Sequence, residues 1–567
     1  MIHSELQGNM GVRRDDVSKT YADYRSNVRQ PVAAYSDACQ RNSMDAFMVS
    51  CSTRNAEESA TPNFAGIFDL SSAEGVNESE RLLMRLCRKS FLSLWAYANL
   101  HTAQDMREGK GSAKEFADVL VVFGNDVIIF SDKHIHFQND RPLDTAWPRW
   151  FKRAVSESAK QLYGAMNWLR RFPERLFLDA ACTRSLPVML PSAEQARYHL
   201  IAVTRGSREA CLVAFPGSFG TLQINTEIEG RVHEKNPFTV GVLDRSKHFV
   251  HVLDEFSLEV MMDEMSTITD FLAYLKARED FLSQPETVVV AAGEEQLIAA
   301  YISNGDDSRH PFLPDTLGLD KPDLMIFDDS HYPGLIRRPE YRAKRIQDER
   351  SRAWDDLIEK LIRLGDPKLI HPAIEQPNHE TEQALRLMAA ESRFRRHLLT
   401  ESLVDMLGAA AEEPGKRRAR IFSTREQSDL VYIFLVTPRL PSETDADYRR
   451  HRVAMLHAYC RCAKLRFPQS DTFIGLGLDH PAKDYEMSSE DVIVFTCDEY
   501  SPEERAEAER FQRELGILGD GVVMMEGYAT EYHSAPAIRP KAGANQNDRS
   551  KKRKAKLAKA SRRRNRR

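Results

Sequence analysis

Between Val119 and Phe130 the chain carries two unbroken apolar runs, Val119 to Phe123 and Val127 to Phe130, separated only by Gly124-Asn125-Asp126. Runs this short and this rich in Val, Ile and Phe read as strands buried on both faces, and Gly-Asn supplies the positive φ that a tight hairpin turn needs. A hairpin here forces the rest of the chain to cover two apolar faces. Acids mark where its strands emerge: Asp118 precedes the first, and Asp132 follows the second with Lys133 beside it. The turn brings those ends together, so carboxylate and ammonium groups converge at one end of a buried ribbon.

Successive residues on a strand point to opposite faces, which leaves two registers open. With a two-residue turn, Gly124-Asn125, Asp118 stands opposite Ser131, and Ser131 and Lys133 share its face. With a three-residue loop, Gly124 to Asp126, Asp118 stands opposite Asp132, which shares a face with His134 while Lys133 points away. Both faces of the second run are apolar, so the pattern does not choose.

Asp118, a strand-turn-strand and then Ser131-Asp132-Lys133 resemble the restriction-endonuclease-like PD-(D/E)XK nucleases, whose core places an Asp on one strand and an acid-x-Lys triplet on the next. The resemblance covers roughly Asn77 to Asp179, and either register departs from the family pattern at one position: Ser131 replaces the acid in the first, His134 the Lys in the second. It implies an α/β fold with a restriction-endonuclease-like mixed-sheet core and metal-assisted hydrolysis of DNA or RNA. Mg2+ or Mn2+ would be the cofactor. Magnesium takes oxygen ligands and keeps several waters, so Asp118 and Asp132 could hold it while a phosphate completes the shell. Lys133 would orient a water or steady developing negative charge, and Ser131 stands in the triplet. The plainer alternative is two solvated acids at strand ends, with Lys133 protecting an edge.

The flanks extend the comparison. Asn77 and Glu80 have capping-box spacing, and Leu82, Leu83, Leu86, Leu94 and Trp95 predict a helix running to about residue 101. In the family an acid on this first helix often binds metal; Glu80 is the candidate, against its reading as a cap. Glu115 is a further possible ligand. Pro142 ends the extended region, and Trp147 to Arg171 predicts a second helix with Trp150, Phe151, Ala154, Leu162, Ala165 and Leu169 on one stripe. Its other face carries Arg149, Lys152, Arg153, Lys160, Arg170 and Arg171, of which Lys152, Arg153 and Lys160 are candidate phosphate contacts. The family resemblance suggests that Gln161 or Lys160 reaches the site from this helix. Arg175 to Asp179, Tyr198 to Thr204 and Cys211 to Phe215 predict further strands.

Charge matters at the C-terminal end. Residues 550 to 567 hold eleven Lys or Arg and no acid, leaving residues 1 to 549 with 68 cations against 84 acids, a net charge of −16. Lys551, Lys552, Arg553, Arg562, Arg563 and Arg564 are candidate nucleic-acid contacts, since Lys and Arg on phosphates gain affinity by counterion release without reading sequence. A solubility tail, an intramolecular partner for the acidic body or a localisation signal would look the same. No run of about 18 apolar residues and no hydrophobic leader occur, so the expectation is a cytoplasmic protein without membrane contact. The eight cysteines are scattered, and Cys460 and Cys462 fall within a helical pattern, which argues for buried thiols.

The remaining sequence divides by texture: a loosely ordered leader, 1–75; the nuclease-like core, 76–240; a mixed α/β extension, 241–337; a charged helical region, 338–415; a C-terminal α/β domain, 416–534; and a linker with the basic tail, 535–567. The C-terminal domain has a β-α-β-β-α order, and Thr437-Pro438 stands where a nucleotide-binding loop would need glycines. Function divides in two: a divergent metal-dependent nuclease, for which the resemblance suggests defence against foreign nucleic acid, or a non-catalytic nucleic-acid-binding or regulatory protein on a degenerate nuclease fold.

Overall fold

The computed structural model describes residues 67–103, 113–305, 323–364, 377–424, 427–481 and 489–519, with 312, 527 and 529–531. The leader up to residue 66 and the basic tail lie outside the described residues. The fold is mixed α/β. The first sheet is built from α1 (Glu78–Phe91), β1 (Ala96–Ala98), β2 (Val119–Phe123) and β3 (Asp126–His134). It continues with α2 (Leu143–Phe151, extended through a π turn at Lys152–Ser156 into Glu157–Arg171), β4 (Arg197–Arg205), α3 (Arg208–Ala214), β5 (Val250–Asp254) and α4 (Glu255–Glu264). Its strand order is β1-β2-β3-β4-β5. The first three strands are antiparallel neighbours, whereas β4 and β5 run parallel to β3.

Asn77 caps α1, its side chain accepting from the Glu80 amide at 3.0 Å. The helix is shorter than its periodicity predicts. It ends at Phe91, because Leu92 turns to φ 67, and Leu94 and Trp95 are buried on the way into β1 instead of extending a helical face. In the hairpin Val119 pairs with Phe130 and Phe123 with Asp126, so the turn is the two-residue Gly124-Asn125, with φ 58 at Gly124. Both strands are largely enclosed: every residue of β2 is buried, as are Val127 to Asp132. The three-residue register is thereby excluded.

In α2 the stripe Trp150, Phe151, Ala154, Leu162, Ala165 and Leu169 is buried and Arg149, Lys152, Arg153, Lys160, Arg170 and Arg171 are exposed. The π turn adds a residue to one turn where Trp147, Trp150 and Phe151 crowd together, the two tryptophans stacking at 5.3 Å. Cys211 to Phe215, expected as a strand, belongs to the helix α3 and its C-terminal cap. That apolar run is too short for periodicity to decide between the two.

A second sheet runs in the order Leu324–Phe327, Val288–Ala291, Gln223–Glu229, Thr239–Val242. Helices Pro339–Arg350, Arg352–Leu364, Pro377–Ala389 and Arg393–Ala411 join this half to the C-terminal sheet. Arg393 and Arg396 are buried there against the Asp355 carboxylate. Trp95 donates to Glu382 at 2.9 Å from one side, and Tyr432 donates to Glu391 at 2.8 Å from the other. The C-terminal sheet runs Arg418–Phe422, Leu430–Thr437, Thr472–Asp479, Glu490–Thr496, with its middle pair parallel across the helix Asp445–Arg466. Gly477 lets that helix approach: a Cβ there would meet Arg452 at 3.0 Å, and Arg452 is buried between Asp479 at 2.7 Å and Asp491 at 2.6 Å. Among the described residues no helix is long and apolar enough to cross a membrane.

Candidate active site

The hairpin register decides which side chains share a face. Ser131 and Lys133 project toward α2, where the Ser131 hydroxyl lies 3.5 Å from Oε1 of Gln161. Asp118 immediately precedes Val119, the first residue of β2, and its Oδ2 accepts the main-chain N–H of Asp132 at 2.5 Å. Asp118, Ser131, Lys133 and Gln161 therefore gather at one end of the sheet.

Asp132 goes the other way. Its carboxylate takes Nε of Arg205, at 2.9 and 3.1 Å, because β4 pairs in parallel with β3 and places Arg205 two residues beyond the partner of Asp132 on the same face. Burial outweighs that cation and leaves the Asp132 carboxyl above its usual range. Glu80 lies near both aspartates and disfavours ionisation of each, yet its own carboxylate is held by the Val76 amide at 2.7 Å and by the Asn77 side chain. Its carboxylate is engaged at the helix N-terminus, as its reading as a capping residue expects. Glu115 is exposed on a short outlying strand paired with His101. The expected set thus divides: Asp118, Ser131, Lys133 and Gln161 share one end of the sheet, with Asp118 in the field of Lys133 and Ser131 against Gln161; Asp132 and Glu80 sit beside them with other partners, and Glu115 stands apart.

Asp118 is the electrostatic centre. Burial pushes its carboxyl from 3.8 up to about 6; the Asp132 amide and the charge of Lys133 pull it back, while Glu80 and Asp132 push it further. Only 6% of the residue is exposed, so desolvation wins over the nearby ammonium. A buried carboxylate whose neighbours undercompensate its charge is a place where an added cation is stabilised.

Two residues escaped sequence reasoning. Arg205 keeps Nη2 buried without a hydrogen-bond partner among the described residues, and Oε2 of Glu255 is in the same condition. Both lie at the carboxyl ends of parallel strands, and Arg205 favours the ionised form of Glu255. The available signal was a cation ending the apolar run Tyr198 to Thr204.

The donor set suits magnesium in one respect. It is all oxygen: the Asp118 carboxylate beside the Asp132 amide, and, at the same end of the sheet, the Ser131 hydroxyl and Gln161 amide oxygen 3.5 Å from each other. Magnesium is commonly held by one or two carboxylates, with water and substrate phosphate completing its shell. No cluster of three or more His, Cys, Asp or Glu side chains arranged to hold a metal occurs among the described residues. Lys152, Arg153 and Lys160 are exposed on α2, the helix that carries Gln161, and the tail cations from Lys551 to Arg564 lie outside the described residues. No protein-family model matches the chain, and no match is found among curated proteins or solved structures.

Proposed function

We propose that the chain is a divergent, restriction-endonuclease-like nuclease that hydrolyses phosphodiester bonds of DNA or RNA with magnesium or manganese. The observation that carries this reading is the convergence of Asp118, Ser131, Lys133 and Gln161 at the open end of a hairpin. A helix precedes that hairpin and the cation-bearing α2 follows it, as the family's core requires. Asp118 is the metal ligand, with Ser131 and Gln161 as neutral oxygen donors. Bound there, the ion supplies charge neutralisation at the phosphate and acidifies a water. Lys133 faces the same side and contributes positive charge where negative charge develops on the phosphate. The exposed cations of α2 hold the backbone on either side.

A second reading rests on a specific observation: the register puts Ser131 where the family has an acid, and Asp132 is spent on Arg205. On that reading the fold binds nucleic acid or regulates without cutting it. The two are separated by assaying the purified full chain on linear, circular and single-stranded DNA and on RNA, with magnesium, manganese or chelator. The nuclease reading expects metal-dependent cleavage that Lys133→Ala weakens and Ser131→Asp, which restores the family acid, strengthens. Binding without cleavage under every condition favours the second reading.

A further inference from the structure

Behind the site, on another face of α2, lies an open cleft of about 750 Å³, a volume typical of sites for small organic ligands. One wall is a helical stripe, Ser156, Ala159, Lys160, Tyr163, Met166 and Asn167, at three- and four-residue spacing. The facing wall comes from the segment 230–248. Its floor is apolar and ordered: the His233 ring stacks on Phe151 at 5.0 Å and is locked by Gly230 and Gly241, with Nε2 accepting the Gly241 amide at 2.9 Å. Leu243 and Met166 extend that floor.

The rim is polar, and its cations are not all spent. Lys247 pairs with Asp244 at 2.9 Å and lies over the Tyr163 ring, so those two charges neutralise each other. Lys160 and Arg231 are exposed and form no ion pair among the described residues, and Glu234 is the remaining acid on the rim. Ser156 and Asn167 add exposed hydrogen-bonding groups, and Ser156 closes the π turn, a helix defect often found at functional sites. Two uncommitted cations above an apolar floor match a ligand with one anionic end and one largely apolar end.

We propose that this cleft binds a nucleotide, with Lys160 and Arg231 on the phosphate and the base against Phe151, Met166 and Leu243. The nucleotide is either free or part of a strand. Gln161, which reaches Ser131, is about 100° around the helix from Lys160, so a strand engaged at Asp118 has α2 as a shared wall with the cleft. The proposal does not require cleavage.

Isothermal titration of the full-length chain with the four 5′-ribonucleoside monophosphates, tested separately beside adenosine and inorganic phosphate, decides it. At least one monophosphate should bind more tightly than either fragment, with affinity falling about tenfold in Lys160→Ala and in Arg231→Ala. Asp118→Ala should bind it unchanged, which keeps this result apart from the fate of the nuclease reading. A 5′-phosphorylated single-stranded oligonucleotide forms the second arm. Competition with the monophosphate, or binding of the oligonucleotide alone that still depends on Lys160 and Arg231, assigns the cleft to a strand; absence of competition assigns it to a free nucleotide. No monophosphate binding together with oligonucleotide binding indifferent to both substitutions overturns the proposal, as does inorganic phosphate binding as tightly as any monophosphate.

Discussion

Replacing Asp118 with Asn should make the protein more stable at neutral pH, and the gain should vanish on acidification. The carboxyl is lifted from 3.8 to about 6, and each pH unit is worth about 1.4 kcal/mol, so the ionised form costs the native state roughly 3 kcal/mol at pH 8. Because the folded value is raised, native protein binds this proton more readily than unfolded chain. The associated stability is complete below pH 4 and is lost as pH rises toward 6 and beyond. Asn is uncharged and nearly isosteric, and its carbonyl oxygen still accepts the Asp132 amide that Oδ2 accepts now. The assay is thermal unfolding of both proteins from pH 5 to pH 8, in chelator and in magnesium. In chelator the variant should melt several degrees higher at pH 8, with the difference closing toward pH 5. Magnesium should raise the melting temperature of the wild type and leave the variant unmoved. A variant less stable at every pH, or a difference independent of pH, would refute the claim that Asp118 is an undercompensated buried carboxylate.

Other substitutions test the surroundings. Arg205→Met leaves Asp132 buried without its cation and should destabilise by about 3–5 kcal/mol, and adding Asp132→Asn should recover most of the loss in a double-mutant cycle. Gly124→Ala places a side chain at φ 58 and should cost about 1–2 kcal/mol in thermal unfolding, since the nearby Arg386 side chain can move aside. Arg452→Met strands Asp479 and Asp491 in the C-terminal sheet; hydrogen exchange should rise over 430–437 and 472–479 and leave β2 and β3 protected.

The hairpin was legible because two apolar runs flanking Gly124-Asn125 admit few other structures. Its register was not, because Val127 to Phe130 are buried on both faces and the alternation that normally fixes parity is absent. Only the pairing of β2 with β3 in the folded chain settles it. The role of Arg205 was hidden for a related reason: β4 joins β3 in parallel after a long excursion through α2, and no local pattern encodes that register. Leu94 and Trp95 misled the reading of α1, since their spacing continues a helical stripe while the backbone has already left it at Leu92. The strand Gln223–Glu229 was readable and missed: Ile224, Thr226 and Ile228 are buried in strict alternation. The capping role of Glu80 was visible in sequence, and its position near both aspartates was not.

The central claim is that Asp118 is the metal-binding carboxylate of a working nuclease site. Cleavage of single- and double-stranded substrates by the wild type and by Asp118→Asn, side by side in magnesium and in chelator, tests it most directly. Because the Asn variant is expected to be the more stable protein, its loss of activity cannot be ascribed to unfolding. The account predicts cleavage by the wild type only with metal, and none by the variant. Equal cleavage by both proteins, or cleavage by the wild type in chelator, would contradict it.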